Sequence, residues 1–332
     1  MNINQIAELA GVSKRSVTRA LNNQVGLSEK TRQKILDVAK KHHYHPSTIA
    51  RALTTKRTNT LALIIPENDN MFFAALTRAV EETAWEHGFN IILINTCSDV
   101  EKEVRGLNLC QEKLMDGILI TPTSTESNAT LAELKKLEIP FVLLNRRYQT
   151  EDNFDYVVND NRHGAILAMT HLLEHGYRDI VMVNSDIHAS SSLERLEGYR
   201  EALSRYQLEE HRVVNTVDSI AGGEAAAGKF SAARMPEAIF TFNDLIAAGI
   251  YRNFKQRGIR IGADVALVGY DNIELASFLE PPLTTVFQPT HEIGRAAAEI
   301  LLHKIKNGDA EPQRRVYTPS LVVRASCGCV LR

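Results

Sequence analysis

Apolar residues recur at helical spacing from the start of the chain. Ile3, Ile6, Ala7 and Ala10 predict a short amphipathic helix. Gly11 supplies a turn, and Ser13 is placed to cap a second helix, on which Val17 and Leu21 lie one turn apart and face inward. Lys14, Arg15, Thr18 and Arg19 are left on its outer side. A third helix starts at Ser28 with Ile35, Val38 and Ala39 as its buried stripe, and Pro46 ends it. Two short helices around a glycine turn, braced by a third, make a helix-turn-helix unit. Its second helix fits the major groove and carries N-terminal side chains to base edges. From Ser47 to Leu53 follows a weak amphipathic stretch of about two turns, too short to be a stable helix alone.

Beyond residue 58 the pattern changes. TLALIIP, FNIILIN, DGILITP and PFVLLN are short apolar runs of buried-strand type, separated by helical stretches at about 71–87, 99–114 and 128–137. A second series follows in RDIVMVN, HRVVNTV, EAIFTFN and DVALVGYDN, with helices near 161–175, 192–206, 222–233 and 244–257. Repeated strand–helix units imply parallel sheets covered on both faces. Two series suggest two doubly wound lobes, with ligands bound at the carboxyl ends of the strands.

Charge divides the chain at the same place. Residues 1–58 carry 11 Lys+Arg against 3 Asp+Glu, a net of +8, whereas the whole chain carries 38 against 40. Residues 59–332 therefore hold 27 against 37, a net of −10. A basic head on an acidic body suits a phosphate-binding module joined to a domain with another task. A solvated three-helix cap with incidental charge is the plainer alternative, and pattern, turn, cap and charge together weigh against it. With 44% hydrophobic residues the chain can bury a sizeable core in two or three domains. It has neither an apolar run near 18 residues nor a leader-like segment, so a soluble cytoplasmic protein is expected, with no membrane partner.

The chemistry on offer is sparse. Cys97, Cys110, Cys327 and Cys329 show no pair of partners at metal-ligand spacing, so reduced structural thiols are expected and no metal site. The Cys327-Gly328-Cys329 step could be redox-active, a minor reading for a cytosolic protein. His42, His43 and His45 could hold a metal but suit a helix end near phosphates better. Residues 223–230, GEAAAGKF, nearly match a P-loop; Phe230 stands where a Mg²⁺-binding hydroxyl is needed, and Ala225, Ala226 and Phe230 suit one buried helix face. There is no GxSxG, HExxH or GxGxxG, so an enzyme is not expected and no cofactor is called for. Phe73, Asn145, Asp160, Arg195, Asn243 and Asp271 each follow or approach an apolar run, where a cleft should lie. An aromatic face with Asp, Asn and Arg suits a polyol, although any one of these residues could simply cap a helix.

AELAGVSKRSVTRALNN and LSEKTRQKILDVAKKHHYHPSTIARAL resemble the head of the lactose/galactose repressor (LacI/GalR) family. The resemblance continues through NMFF, FNDLIAAG, DVALVGYDNIELASFLEPPLTTVFQP and LVVRASCG, over essentially the full length. It implies an all-α helix-turn-helix headpiece joined to an α/β bilobed core like that of periplasmic sugar-binding proteins. The expected domains are a headpiece at 1–45, a hinge at 46–58 and an effector-binding and dimerisation core at 59–332. The first lobe would take about 59–158 and 290–318, the second about 159–289 and 319–332, with the chain crossing back near Thr290 and Thr318.

The implied DNA-binding set is Ser13, Lys14, Arg15, Ser16, Thr18, Arg19 and Asn22, with Arg15 reading guanine and Arg19 holding phosphate. In the family, the hinge segment pairs with its dimer mate in the minor groove, where a leucine pries open a base step. Leu53 matches that residue, with Ala50 one turn before it. The implied effector set is Phe73, Asn145, Asp160, Ser191, Arg195, Asn243 and Asp271. Asn145 departs from the family's frequent Asp and removes an anionic acceptor; Ala189 stands where the purine-repressor branch has a basic residue, which disfavours a purine.

The function expected is a transcriptional regulator, most simply a repressor. Its partners would be a palindromic double-stranded operator, a carbohydrate effector and a second copy of the chain. A homodimer rather than a tetramer is expected, since no leucine heptad follows Cys327, and FFAALTRAVEETAW offers an apolar face for pairing. A solute-binding transport receptor would fit the body but not the basic head, and a sugar-handling enzyme would lack its catalytic residues.

Overall fold

The computed structural model describes residues 1–21, 25–44, 57–148, 150, 153–186, 188–208, 212–231, 234–308 and 311–329. It consists of two compact units, Met1–Thr58 and Asn59–Arg332.

In the first unit, α1 (Ile3–Ala10), α2 (Lys14–Leu21) and α3 (Glu29–Lys41) enclose a small core of Ile6, Ala7, Ala10, Val17, Ala20 and Ile35. Local chemistry sets each boundary. Asn2 caps α1 in a capping box with Gln5, and Gly11 ends it at φ +64°. The Ser13 hydroxyl accepts from the Ser16 amide at 3.1 Å, and the Ser28 hydroxyl from the Thr31 amide at 3.2 Å. Val38 and Leu21 pack against this core half-buried.

The second unit holds two six-stranded sheets. The strands are β1 (Thr60–Ile65), β2 (Asn90–Asn95), β3 (Gly117–Ile120), β4 (Phe141–Leu144), β5 (Tyr156–Asn159), β6 (Ile180–Ser185), β7 (Arg212–Thr216), β8 (Ala238–Thr241), β9 (Ala266–Asp271), β10 (Thr284–Phe287), β11 (Arg314–Tyr317) and β12 (Ser320–Val322). The first sheet runs β11-β5-β4-β3-β1-β2, all parallel. The second runs β12-β10-β9-β8-β6-β7, parallel except for β12, which pairs antiparallel with β10. Both faces of β1 are buried: Leu61, Leu63 and Ile65 enter one cluster, Ala62 and Ile64 the other. The chain passes from β5 into the second lobe, returns after β10, and crosses again between β11 and β12.

The helices of the second unit are α4 (Met71–Glu86), α5 (Val100–Glu112), α6 (Asn128–Lys136), α7 (Asn161–Glu174), α8 (Ser190–Arg205), α9 (Ile220–Gly228), α10 (Asp244–Gln256), the short α11 (Leu275–Phe278) and α12 (Thr290–Asn307).

Three details differ from the sequence reading. FNIILIN is an edge strand whose Ile92 and Leu93 are exposed in the single chain, not a buried one. The helix expected near 222–233 is α9, ending at Gly228, with Ala227 buried where Ala225 was expected and Ala225 exposed. Strands β5, β10, β11 and β12 were not foreseen, each only three or four residues long.

The P-loop look-alike is thus a helix packed on α10, and Gly223 of the one and Gly249 of the other let the backbones approach. A Cβ on Gly249 would lie 2.0 Å from the Ile220 carbonyl oxygen, and one on Gly223 2.0 Å from that of Ile246. Gly249→Ala should destabilise the second lobe by about 1–3 kcal/mol. Gly228→Ala, whose Cβ would meet only the Asn253 side chain at 4.0 Å, should change stability by no more than about 0.5 kcal/mol. Equal thermal midpoints for both variants would show that the helices separate easily.

Candidate functional site

In the N-terminal unit the candidate nucleic-acid face lies at the start of α2. Lys14 and Arg15 are exposed, while Ser16, Thr18 and Arg19 are half-buried. Ser13 and Ser16 are tied to each other by a 3.0 Å hydroxyl contact, and the Thr18 hydroxyl donates to the Lys14 carbonyl at 3.0 Å. A capped helix N-terminus flanked by two exposed cations suits a phosphate backbone with base edges beyond it. Asn22, Ala50 and Leu53 lie outside the described residues.

In the second unit the strand ends of both sheets converge on a narrow, nearly filled cleft. The first lobe contributes Asn70, Phe72 and Phe73 from the start of α4, and Asn145 and Arg146 from the turn after β4. The second contributes Ser191 and Arg195 from the first turns of α8, Asp218 after β7, Phe242 and Asn243 after β8, and Asp271 at the end of β9. Phe72 and Phe73 meet edge to face with ring centroids 5.2 Å apart.

Arg195 is 2% exposed and held on every side. Its Nε donates to Asn161 Oδ1 at 3.0 Å and Nη1 to the Phe242 carbonyl at 2.5 Å, while the guanidinium lies 3.6 Å from the Tyr270 ring centroid and 4.5 Å from that of Phe242. Its Nη2 stands 3.5 Å from Asp271 Oδ1, which also accepts from Gln288 Nε2 at 2.6 Å. Burial pushes the Asp271 carboxyl up to about 7, although the Arg195 guanidinium pulls it down. Asp271 and Asn272 both take positive φ, +104° and +52°, a strained turn. The turn is pinned by the Ile273 amide donating to Asp244 Oδ2 at 2.9 Å.

Three buried polar atoms of the cleft have no hydrogen-bond partner among the described residues: Asn145 Oδ1, Arg146 Nε and Ser191 Oγ. All three side chains are at least 96% buried. Leaving such groups unpaired costs roughly 1–3 kcal/mol each, so they mark where a ligand's own polar groups fit.

Of the expected effector residues, Phe73, Asn145, Ser191, Arg195, Asn243 and Asp271 line this cleft and Asp160 does not. Asp160 caps α7 instead, accepting from the His163 amide at 2.9 Å. Asn243 does both: its Oδ1 caps α10 at Ile246 and its Nδ2 donates to Asp218 at 2.5 Å. Sequence reasoning missed Asn70, Phe72, Arg146, Asp218 and Phe242. Arg146 and Phe72 adjoin residues already singled out, and Asp218 follows the HRVVNTV run directly.

Residues 58–325 match the model of the periplasmic binding proteins and sugar binding domain of the LacI family. Residues 2–47 match that of the bacterial regulatory proteins of the lacI family. The chain belongs to the LacI family. It is 32% identical over 324 residues to the ribose operon repressor of Escherichia coli (strain K12), covering 97% of this chain and 98% of that protein. It is 34% identical to the HTH-type transcriptional regulator DegA of Bacillus subtilis (strain 168), covering 98% and 97%. Among solved structures, the transcriptional regulator CelR–cellobiose complex superposes with a TM-score of 0.75 at 30% identity, over 98% of this chain and 99% of that one. A lac repressor dimer bound to operator and an anti-inducer shares the fold with a TM-score of 0.89 at 24% identity, over 98% and 99%.

As a LacI-family member the chain is a DNA-binding transcriptional regulator with a ligand-binding core, and not an enzyme. Among the described residues no helix is long and apolar enough to cross a membrane.

The raised Asp271 carboxyl makes stability pH-dependent. The folded state holds a proton that the unfolded chain, with an ordinary carboxyl near 4, has already released, so stability falls as pH rises from about 4 to about 7. Asp271→Asn removes this cost. Its unfolding free energy should gain on the parent's by on the order of 3 kcal/mol between pH 5 and pH 8. A variant-to-parent difference equal at both pH values in urea unfolding would contradict the carboxyl's raised state.

Proposed function

We propose that the chain is a cytoplasmic repressor that binds a palindromic operator as a homodimer and releases or retains it according to a small neutral carbohydrate held between the lobes. The observation that carries this reading is the set of partnerless buried groups, Asn145 Oδ1, Arg146 Nε and Ser191 Oγ, beside aromatic faces and two carboxylates. Donors and acceptors of that mix bond hydroxyls, while Phe72, Phe73 and Phe242 cover the apolar faces of a ring. Likeness to the ribose operon repressor makes pentoses the first candidates. Homodimerisation follows from geometry, since one helix-turn-helix unit reads too few base pairs and a two-fold pair matches a palindrome.

Arg15 is assigned to base reading and Arg19 to phosphate. A bidentate arginine–guanine contact is worth about 1–3 kcal/mol of discrimination. In selection of bound genomic DNA, Arg15→Ala should relax preference at one position in each half-site. Arg19→Ala should weaken all sequences alike and flatten the salt dependence. An unchanged site profile for Arg15→Ala would remove its assigned role.

Arg195→Ala and Ser191→Ala should abolish the response to effector while operator binding persists. Calorimetry with a panel of pentoses and hexoses, run beside a mobility-shift assay, tests this. Lost operator binding with intact sugar affinity would place both residues in the scaffold.

A further inference from the structure

The second lobe carries a cluster of soft ligands remote from the cleft. His171, on the third turn of α7, meets Cys327 and Cys329, which lie in the turn after β12. Their candidate ligand atoms all lie within 4.8 Å of one another. Cys329 Sγ is 3.3 Å from His171 Nε2, although the two residues are 158 apart in the chain. We propose that His171, Cys327 and Cys329 form a binding site for a thiophilic d¹⁰ cation of the Zn²⁺ type.

The geometry fits such an ion closely. Zn–S bonds of about 2.3 Å and Zn–N bonds of about 2.0–2.1 Å at tetrahedral angles place S and N roughly 3.5 Å apart and two S atoms roughly 3.8 Å apart. Cys329 Sγ and His171 Nε2, at 3.3 Å, already stand within a few tenths of an ångström of this, and the widest pair, at up to 4.8 Å, would close by about 1 Å. Two sulfurs and one imidazole are a soft set that selects Zn²⁺ over Mg²⁺ or Ca²⁺, which require oxygen ligands. Three ligands leave one tetrahedral position for water, and Cys329 and His171, both half-exposed, give the ion a way in.

The turn that pairs the thiols is built in. Gly328 sits at φ +73°, and a Cβ there would lie 2.6 Å from the Gly262 carbonyl oxygen and 2.9 Å from the Tyr177 hydroxyl. That hydroxyl in turn donates to the Cys327 carbonyl at 2.9 Å. A glycine between two cysteines is thus required by the packing, and it brings both sulfurs to the side where α7 passes. Cys327 Sγ also donates to the Arg324 carbonyl at 3.3 Å, which orients it before any ion arrives. An ion here would tie the C-terminal turn of the lobe to α7, whose first residue, Asn161, holds Arg195 in the cleft.

The test uses the untagged full-length protein, reduced and desalted without oxygen, and titrated with Co²⁺ and then Zn²⁺. One equivalent of Co²⁺ per chain should give a thiolate-to-metal charge-transfer band, and one equivalent of Zn²⁺ should abolish it and raise the thermal midpoint. Cys329→Ser should lose the band. His171→Gln should weaken binding by about tenfold or more. Cys329→His, which keeps a soft ligand, should retain the Zn²⁺-dependent rise in midpoint, and Cys97→Ser should behave as the parent. Absence of the band, its persistence in Cys329→Ser, or a Cys327–Cys329 disulfide found by mass in freshly prepared protein would each overturn the assignment. Operator binding by each variant checks that it has folded.

Discussion

Arg195 is the group on which the cleft depends. A guanidinium buried this deeply needs partners, and here three different elements supply them. Asn161 comes from α7, the Phe242 carbonyl from the end of β8, and Asp271 from the end of β9. Its stacking partner Tyr270 accepts from Asn159 Nδ2 at 3.0 Å, so the last residue of β5, in the other sheet, is tied to the same point. Gly164 makes room for that ring, since a Cβ there would lie 2.2 Å from the Tyr270 hydroxyl. One side chain therefore fixes the register of three second-lobe elements and a contact between the lobes. The Arg195–Asp271 pair is itself loose at 3.5 Å, and its carboxyl titrates near neutrality. It is poised to exchange a protein partner for a ligand, which a tight bidentate pair would resist.

The lobes also touch outside the cleft. Arg147, after β4, donates its amide to Ser190 Oγ at 3.1 Å and its guanidinium to Glu194 Oε1 at 3.2 Å. The Thr125 amide and Ser124 hydroxyl both reach the His188 carbonyl at 2.9 Å. Ile273 of the second lobe joins the first-lobe core beside Phe72 and Phe73. Any change in lobe angle must trade these contacts for others. A ligand can drive that change only by its difference in affinity for the two arrangements. In the reading proposed above, residues contributed by both lobes, Asn145 and Arg146 on one side and Ser191 and Asp271 on the other, are what would create such a difference.

The architecture was legible because parallel strands buried on both faces write long apolar runs, and caps such as Ser13 and Ser28 write the helix starts. What escaped was short or remote. The four strands that escaped, YVVN, TTVF, RRVY and SLV, are short and none holds three aliphatic residues in a row, so they write no apolar run. Ile92 and Leu93 read as core but lie on an edge, because a run of apolar residues does not say where in the sheet order it falls. Asp160 and Asp218 each follow a strand, yet one caps a helix and the other lines the cleft; only the turn geometry separates them. The meeting of His171 with Cys329 depends on the packing of α7 against the final turn, which no local spacing encodes.

Asn145, set against the carboxylate common at that place in the family, becomes intelligible from its neighbours. Asp218 and Asp271 already supply two acidic side chains to the cleft, and Arg146 and Arg195 supply two guanidiniums. A third carboxylate at position 145 would tip this balance negative in a site where burial already raises the carboxyls. An amide keeps an acceptor in Oδ1, adds donors and brings no charge. Its backbone, at φ +64°, is one that asparagine tolerates better than most residues. In the reading proposed above, an amide at position 145 therefore meets a neutral, hydroxyl-rich ligand without adding charge to the buried carboxyls and guanidiniums around it.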